Sequence, residues 1–306
     1  MPASPIRKLV PYAEAAKAAG KQVLHLNIGQ PDIRTPEIAL EAVRKAPIRT
    51  LAYSRTEGSA EYRQKIAQYY GNHGIQVTSE EIIVTTGGSE ALSFAMGTIA
   101  DPGDEIIIPE PFYANYNGFA QAHGVQVRAV PSEFEDNFAL PPIAEFERRI
   151  NEKTKAILIC NPGNPTGYLY TREEIEQLAA LALKHDIFLI ADEVYREFAY
   201  DGRQHHSIMA LTSLSEHAIL IDSVSKRYSM CGARIGCLVS KNKAVVQAAL
   251  KFAQARLSPP TLAQIASEAA LETPKDYFSD VISEYTERRN VLIQALENAE
   301  GIRVAQ

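Results

Sequence analysis

The chain has 306 residues, about two domains' worth at roughly 150 residues each, and its 46% apolar content is enough for a sizeable core. A net charge of −6 lacks the basic footprint of a nucleic-acid binder, and no window approaches the ~20 apolar residues of a membrane-spanning helix. Met1-Pro2-Ala3-Ser4-Pro5-Ile6-Arg7-Lys8 is not followed by the apolar stretch of a secretory leader, and Cys160, Cys231 and Cys237 form an odd set without metal-ligand spacing, so we expect a reduced, cytoplasmic chain with buried thiols and no metal.

Thr35-Pro36 predicts a helix start, with the threonine as N-cap and the proline in the first turn. Strand-like apolar runs follow at Ile82-Ile83-Val84, Glu105-Ile106-Ile107-Ile108, Val125-Gln126-Val127, Ala156-Ile157-Leu158-Ile159, Ile187-Phe188-Leu189-Ile190 and Ala218-Ile219-Leu220-Ile221. Several are continuous rather than alternating, the pattern of strands buried on both faces. Helical patterns lie between them. One runs through Ala91, Leu92, Phe94 and Ala95. Another opens at Thr171-Arg172-Glu173-Glu174, a capping box, and places Ile175, Leu178, Ala179 and Ala182 on one face. The alternation predicts an α/β fold, a mostly parallel sheet covered on both sides. From about Thr261 the strands stop. Phe278, Val281, Ile282 and Tyr285, spaced i, i+3, i+4, i+7, predict a long amphipathic helix to about Asn298, after which Ile302-Arg303-Val304 reads as the start of a strand. This shift in composition divides the chain into a large domain, 36–260, and a smaller one formed by 1–35 and 261–306.

In open α/β sheets ligands collect at strand ends, and the most chemically informative residues of this chain lie there. Thr85-Thr86-Gly87-Gly88-Ser89-Glu90 joins a strand to a helix. Paired glycines let the backbone approach a ligand, and the free amides of a helix start suit a phosphate, although glycine turns before helices are common. Pro111-Phe112-Tyr113-Ala114-Asn115-Tyr116 offers an aromatic that could stack on a flat ring or simply fill core. Asn161-Pro162-Gly163-Asn164-Pro165-Thr166-Gly167 is a sharply turned loop that could present the Asn164 amide to a ligand. Asp192, in Ala191-Asp192-Glu193-Val194-Tyr195, ends an apolar strand, a costly place for a carboxylate without a partner. A pyridinium N–H would be a fitting one. Ser223-Val224-Ser225-Lys226 leaves the last apolar run with two hydroxyls and an amine, and Arg234 follows within the same motif. A lysine amine can condense with an aldehyde, and the hydroxyls and arginine can hold a phosphate dianion. An aldehyde cofactor bearing a phosphate is pyridoxal 5'-phosphate (PLP), and each group it requires occurs once, at a strand exit.

With these motifs the chain resembles the class I, fold-type-I PLP-dependent aminotransferases, near the bacterial aspartate and related amino-acid aminotransferases, from about Leu26 to the end. The resemblance implies a three-layer large domain with a smaller α+β domain. It implies that Lys226 is the Schiff-base lysine and proton shuttle, that Asp192 pairs with the pyridine nitrogen, and that Asn164 and Tyr195 bond the ring's phenolic oxygen. Gly87, Gly88, Ser89, Ser223, Ser225 and Arg234 would surround the phosphate. Tyr113 would stack on the ring, where many members use tryptophan. Tyr53 would reach the phosphate of a neighbouring subunit in a homodimer, and Gly29 would line the substrate carboxylate together with Asn164. The implied reaction is ping-pong transamination between an L-amino acid and a 2-oxo acid, with 2-oxoglutarate expected as acceptor. A carbon–sulfur β-lyase on the same fold would use the same lysine, and a PLP-sensing regulatory domain would carry a basic DNA-binding segment ahead of the fold. Members of the family continue past the position of Gln306 with an arginine for the substrate α-carboxylate, so the chain is expected to be C-terminally truncated. Aspartate-specific members carry a lysine where this chain has Ser89, which leaves the donor open.

Overall fold

The structure, a computed structural model, describes residues 7–305. Most of the N-terminal stretch read above as lacking a secretory leader lies outside the described residues. No described helix is long and apolar enough to cross a membrane.

A seven-stranded sheet forms the centre. Its strands are β1 (Ile82–Thr85), β2 (Glu105–Glu110), β3 (Gln126–Pro131), β4 (Thr154–Cys160), β5 (Phe188–Asp192), β6 (Ala218–Ser223) and β7 (Gly236–Val239), in the order β1-β7-β6-β5-β4-β2-β3. The pairs β2–β3, β2–β4, β4–β5 and β5–β6 are parallel. β7 is antiparallel to both its neighbours, so it alone among the described strands runs against the rest. The six expected strands are present, with most ends shifted by no more than two residues and β3 running four residues past the expected Val127. β7 was not foreseen, because its short apolar run opens on a glycine directly behind the lysine–arginine motif.

The continuous apolar runs are explained by the two faces of this sheet. Ile82, Val84, Ile157, Ile159, Leu189, Ala191 and Leu220 join one buried cluster. Their chain neighbours Ile83, Ala156, Leu158, Ile190, Ile219 and Ile221 join the other. Successive strand side chains point to opposite faces, so both must be apolar where helices cover both sides. One covering helix, Arg172–Lys184, buries Ile175, Leu178, Ala179 and Ala182 as expected. Its capping box forms: the Glu174 amide donates to Thr171 Oγ1 at 3.2 Å, and the Thr171 amide donates to Glu174 Oε2 at 2.7 Å. Such a cap contributes about 1 kcal/mol. The other helix start differs from expectation. Helix Glu37–Arg44 begins after Pro36, and Thr35 does not cap it. The Thr35 hydroxyl instead donates to the Ser229 carbonyl at 2.9 Å, tying this segment to the loop beyond Lys226.

Helix Thr261–Ala270 buries Ala266 and Ala270 in the first cluster. The long helix Lys275–Glu297 follows, with Val281 its one buried residue. It is tied to the N-terminal segment by Arg288 Nη1 to Asp32 at 2.7 Å and by the Tyr277 hydroxyl to the Arg34 carbonyl at 3.2 Å. Residues 302–305 form no strand. Arg303 instead lies over the Phe134 ring and pairs with Glu135.

Candidate active site

The sheet register aligns the strand ends. Cys160 stands opposite Asp192, and Asp192 opposite Ile221. Ser223 and Thr85 both stand opposite Gly236. Residues far apart in sequence thus meet at one edge, where a cavity of about 550 Å³ opens. Gly29, Gly88, Ser89, Tyr113, Asn164, Asp192, Tyr195, Ser223, Ser225, Lys226 and Arg234 all line it. Gly87 lies just behind this wall, and Tyr53, 80% exposed, lies outside it.

Lys226 leaves a single turn of helix, Val224–Arg227, directly after β6. Its amine donates to the Gly29 carbonyl at 2.7 Å and lies 5.7 Å from the centre of the Tyr195 ring. The carbonyl of an N-terminal loop residue therefore aims the lysine into the cavity. The Ser223 hydroxyl accepts from the Ser225 amide at 3.1 Å and sits 2.7 Å from the Ser225 hydroxyl, which groups both oxygens at the start of this turn.

Asp192 is only 5% exposed. Its Oδ2 accepts from the Tyr116 hydroxyl at 2.7 Å, whereas Oδ1 receives only a long 3.4 Å contact from the Val194 amide. Burial pushes its pKa up to about 6, and the Tyr116 and Val194 bonds offset part of that rise. A buried carboxylate with unused acceptor capacity favours a cationic N–H donor. Nearby, Asn164 Nδ2 donates to the Tyr195 hydroxyl at 3.3 Å. Burial pushes both Tyr195 and Tyr113 up, so both remain neutral phenols. The Tyr113 ring meets Tyr116 edge-on at 5.5 Å, and its hydroxyl accepts from Asn115 at 2.7 Å.

The glycines are fixed by close approach. Gly87 has φ +77°, and a Cβ there would fall 2.5 Å from Arg234 Nη2. The guanidinium thus lies against the first turn of helix Gly87–Ile99, beside its free amides. Arg234 itself is left-handed, at φ 56°. A Cβ on Gly236 would lie 2.6 Å from the Gly87 carbonyl carbon and 2.7 Å from the Gly88 nitrogen. Only glycine on β7 lets the turn settle there. Hydroxyls, an arginine and helix-start amides in one place form an anion cradle. A buried carboxylate and a lysine amine lie in the same cavity, and that donor set fits a phosphorylated pyridine aldehyde.

Sequence reasoning missed Tyr116 as the partner of Asp192, although a buried tyrosine hydroxyl requires one. It also missed Gly236, whose role depends on a strand that was not foreseen.

A sequence model of the family described as aminotransferase class I and II matches residues 21–306. The aspartate aminotransferase of Bacillus subtilis is 34% identical over 94% of this chain and 74% of its own length. The aspartate/prephenate aminotransferase of Thermus thermophilus is 34% identical over 90% of this chain and 72% of its own. Among solved structures, an alanine aminotransferase from Pyrococcus furiosus superposes with a TM-score of 0.92 at 33% identity, covering 98% of this chain and 78% of that one.

Proposed function

This chain belongs to the class I and II aminotransferases, and from that premise we propose that it moves the amino group of an L-amino acid to 2-oxoglutarate, in a homodimer. The reaction class is PLP-dependent transamination. PLP, when bound, condenses with an amino group and acts as an electron sink for the bonds at the substrate Cα. The roles of individual residues are our assignment. Asp192 would accept from the ring N–H and keep that nitrogen protonated. Asn164 and Tyr195 would donate to the phenolic oxygen, and Tyr113 would pack against the ring. Ser223, Ser225, Arg234 and the amides around Gly87, Gly88 and Ser89 hold the phosphate. Lys226 Nζ carries a proton on and off the substrate Cα, as a positioned general acid–base. Gly29 and Asn164 border the substrate carboxylate.

The observation that carries this reading is the meeting of lysine amine, buried carboxylate and anion cradle in one cavity. The dimer is supported by large apolar side chains held in solvent: Leu24, Leu26, Leu51 and Tyr53 are 75, 95, 62 and 80% exposed. The three cysteines are free thiols, in keeping with a reducing, cytoplasmic setting. We assign 36–260 to a large cofactor-binding unit, joined by helix Thr261–Ala270 because that helix packs on its core. The remaining terminal segments form the smaller unit.

The test is a panel of amino donors with 2-oxoglutarate and added PLP, reading glutamate, with Lys226→Ala as control. Glutamate from at least one donor, abolished in Lys226→Ala, is the expected result. Pyruvate released with no oxo acid present would favour the β-lyase, and no glutamate from any donor would overturn the acceptor.

A further inference from the structure

A second set of charged side chains lies behind the cavity wall. Glu193, Arg196, Asp222 and Arg227 are 0, 5, 2 and 4% exposed. Each is the chain neighbour of a cavity residue: Glu193 follows Asp192, Arg196 follows Tyr195, Asp222 precedes Ser223, and Arg227 follows Lys226. On β6 this is the ordinary alternation of a strand, one side chain to the ligand and the next to the core.

The set is closely tied together. Arg227 Nη2 bonds Asp222 Oδ2, and the same oxygen accepts from the Tyr70 hydroxyl at 2.8 Å. Asp222 Oδ1 accepts from the Ser223 amide at 2.7 Å, so the network holds the backbone of a cavity residue directly. Arg196 Nη2 bonds Glu193 Oε2, and its guanidinium lies 4.9 Å from the centre of the Tyr70 ring. Tyr70 thereby joins the two ion pairs. Burial alone would raise the Asp222 carboxyl, but Arg227 and Arg196 outweigh it and hold the group below its ordinary range.

Stability does not account for this arrangement. Charges taken out of water are costly, and an apolar filling of equal volume is often as stable or more so. The Nε atoms of both arginines, and Nη1 of Arg196, have no hydrogen-bond acceptor. An ion-pair network does supply directional geometry. We propose that Asp222 and Arg227, joined through Tyr70 to Arg196 and Glu193, are positioning residues that hold Lys226, Ser223, Asp192 and Tyr195 in mutual register. The inference rests on the aminotransferase reading of the cavity. Its consequence is that turnover depends on the network more than substrate affinity does, because misplacing an acid–base group by a fraction of an ångström slows proton transfer.

The test compares two PLP-loaded variants. Asp222→Asn/Arg227→Met removes both charges of the pair, and Glu197, whose Oε1 lies 3.7 Å from Arg227 Nε, keeps its bond from the Tyr69 hydroxyl. Leu178→Ala cuts a cavity into the apolar core beneath helix Arg172–Lys184 and removes no member of the network. The readouts are kcat, KM, Tm and the visible circular dichroism of the bound cofactor, which reports how rigidly it is held. The double variant should lose at least 30-fold in kcat with KM within threefold, and its visible dichroism should weaken. Leu178→Ala should lower Tm yet keep kcat within threefold and the dichroism intact. Equal kcat losses for equal Tm losses in the two variants would overturn the proposal. So would a double variant with unchanged kcat and dichroism. Should the double variant not fold, Arg227→Lys keeps the charge but loses the planar fork. It should fold and lose about tenfold in kcat, and unchanged kcat and dichroism there would overturn the proposal equally. Failure of the aminotransferase reading is distinguishable, since it would show as no amino transfer by the unaltered protein.

Discussion

Asp192→Asn should make the cofactor-free protein more stable at neutral pH while slowing the loaded enzyme. In the cofactor-free protein burial raises the carboxyl from its ordinary 3.8 to about 6. At 1.36 kcal/mol per pH unit, that rise corresponds to about 3 kcal/mol. The folded protein holds this proton more tightly than the unfolded chain does. The favourable contribution is therefore complete below about pH 4 and is lost as pH climbs through 6. Above that, the ionised carboxylate is a net cost. Asparagine is isosteric, still accepts from Tyr116 and does not ionise. Cofactor-free Asp192→Asn should exceed its parent by about 2–3 kcal/mol at pH 8, and the difference should shrink toward zero near pH 4. The chain has no tryptophan, so urea unfolding followed by far-ultraviolet circular dichroism is the suitable assay. A difference that stays flat between pH 4.5 and 8, or a variant less stable at pH 8, would refute the reasoning. In the loaded enzyme the variant should bind PLP through the phosphate contacts yet lose most of its rate. A kcat within about threefold, a barrier change under ~1 kcal/mol, would remove Asp192 from the ring-nitrogen role.

Two further outcomes are expected. Gly236→Ala places a methyl against the backbone of Gly87 and Gly88, which cannot swing aside. It should cost about 1–3 kcal/mol and weaken PLP binding at least tenfold in an absorbance titration; unchanged PLP affinity would show that the phosphate does not depend on this turn. Mixing Tyr53→Phe with Lys226→Ala should yield more activity than the average of the two once subunits exchange, because one site of a mixed dimer then carries neither lesion. Strictly additive activity after proven exchange would place Tyr53 within its own subunit's site or outside any site.

The sequence displayed what is local and left hidden what is created by pairing. Six strands were legible because a strand covered on both faces must be apolar at every position, and Ala156-Ile157-Leu158-Ile159 can hardly be read otherwise. The capping box at Thr171 was legible because both of its bonds lie within four residues. Thr35 misled, since the same hydroxyl that suits an N-cap also suits a distant carbonyl, and Ser229 took it. Tyr116 and Asp222 were hidden because their meaning lies in Asp192 and Arg227, partners that only the folded sheet brings within bonding distance. Gly236 was hidden because nothing in its immediate sequence shows that another backbone passes 2.6 Å from where its Cβ would be.

The reversed strand β7 has a mechanical consequence. A parallel strand after β6 would have required a crossover back to the end of the sheet where β6 begins. Because β7 runs the other way, the chain turns round at the strand end it has just reached, and Ser223 pairs with Gly236 across the mouth of that loop. Lys226 and Arg234 thus ride on one closed span clamped at both feet. The pairing of β6 with β7 thus fixes the distance between the proposed lysine and phosphate ends of the site, and helix Lys275–Glu297 reaches the same span where Phe278 meets Tyr228 at 5.7 Å.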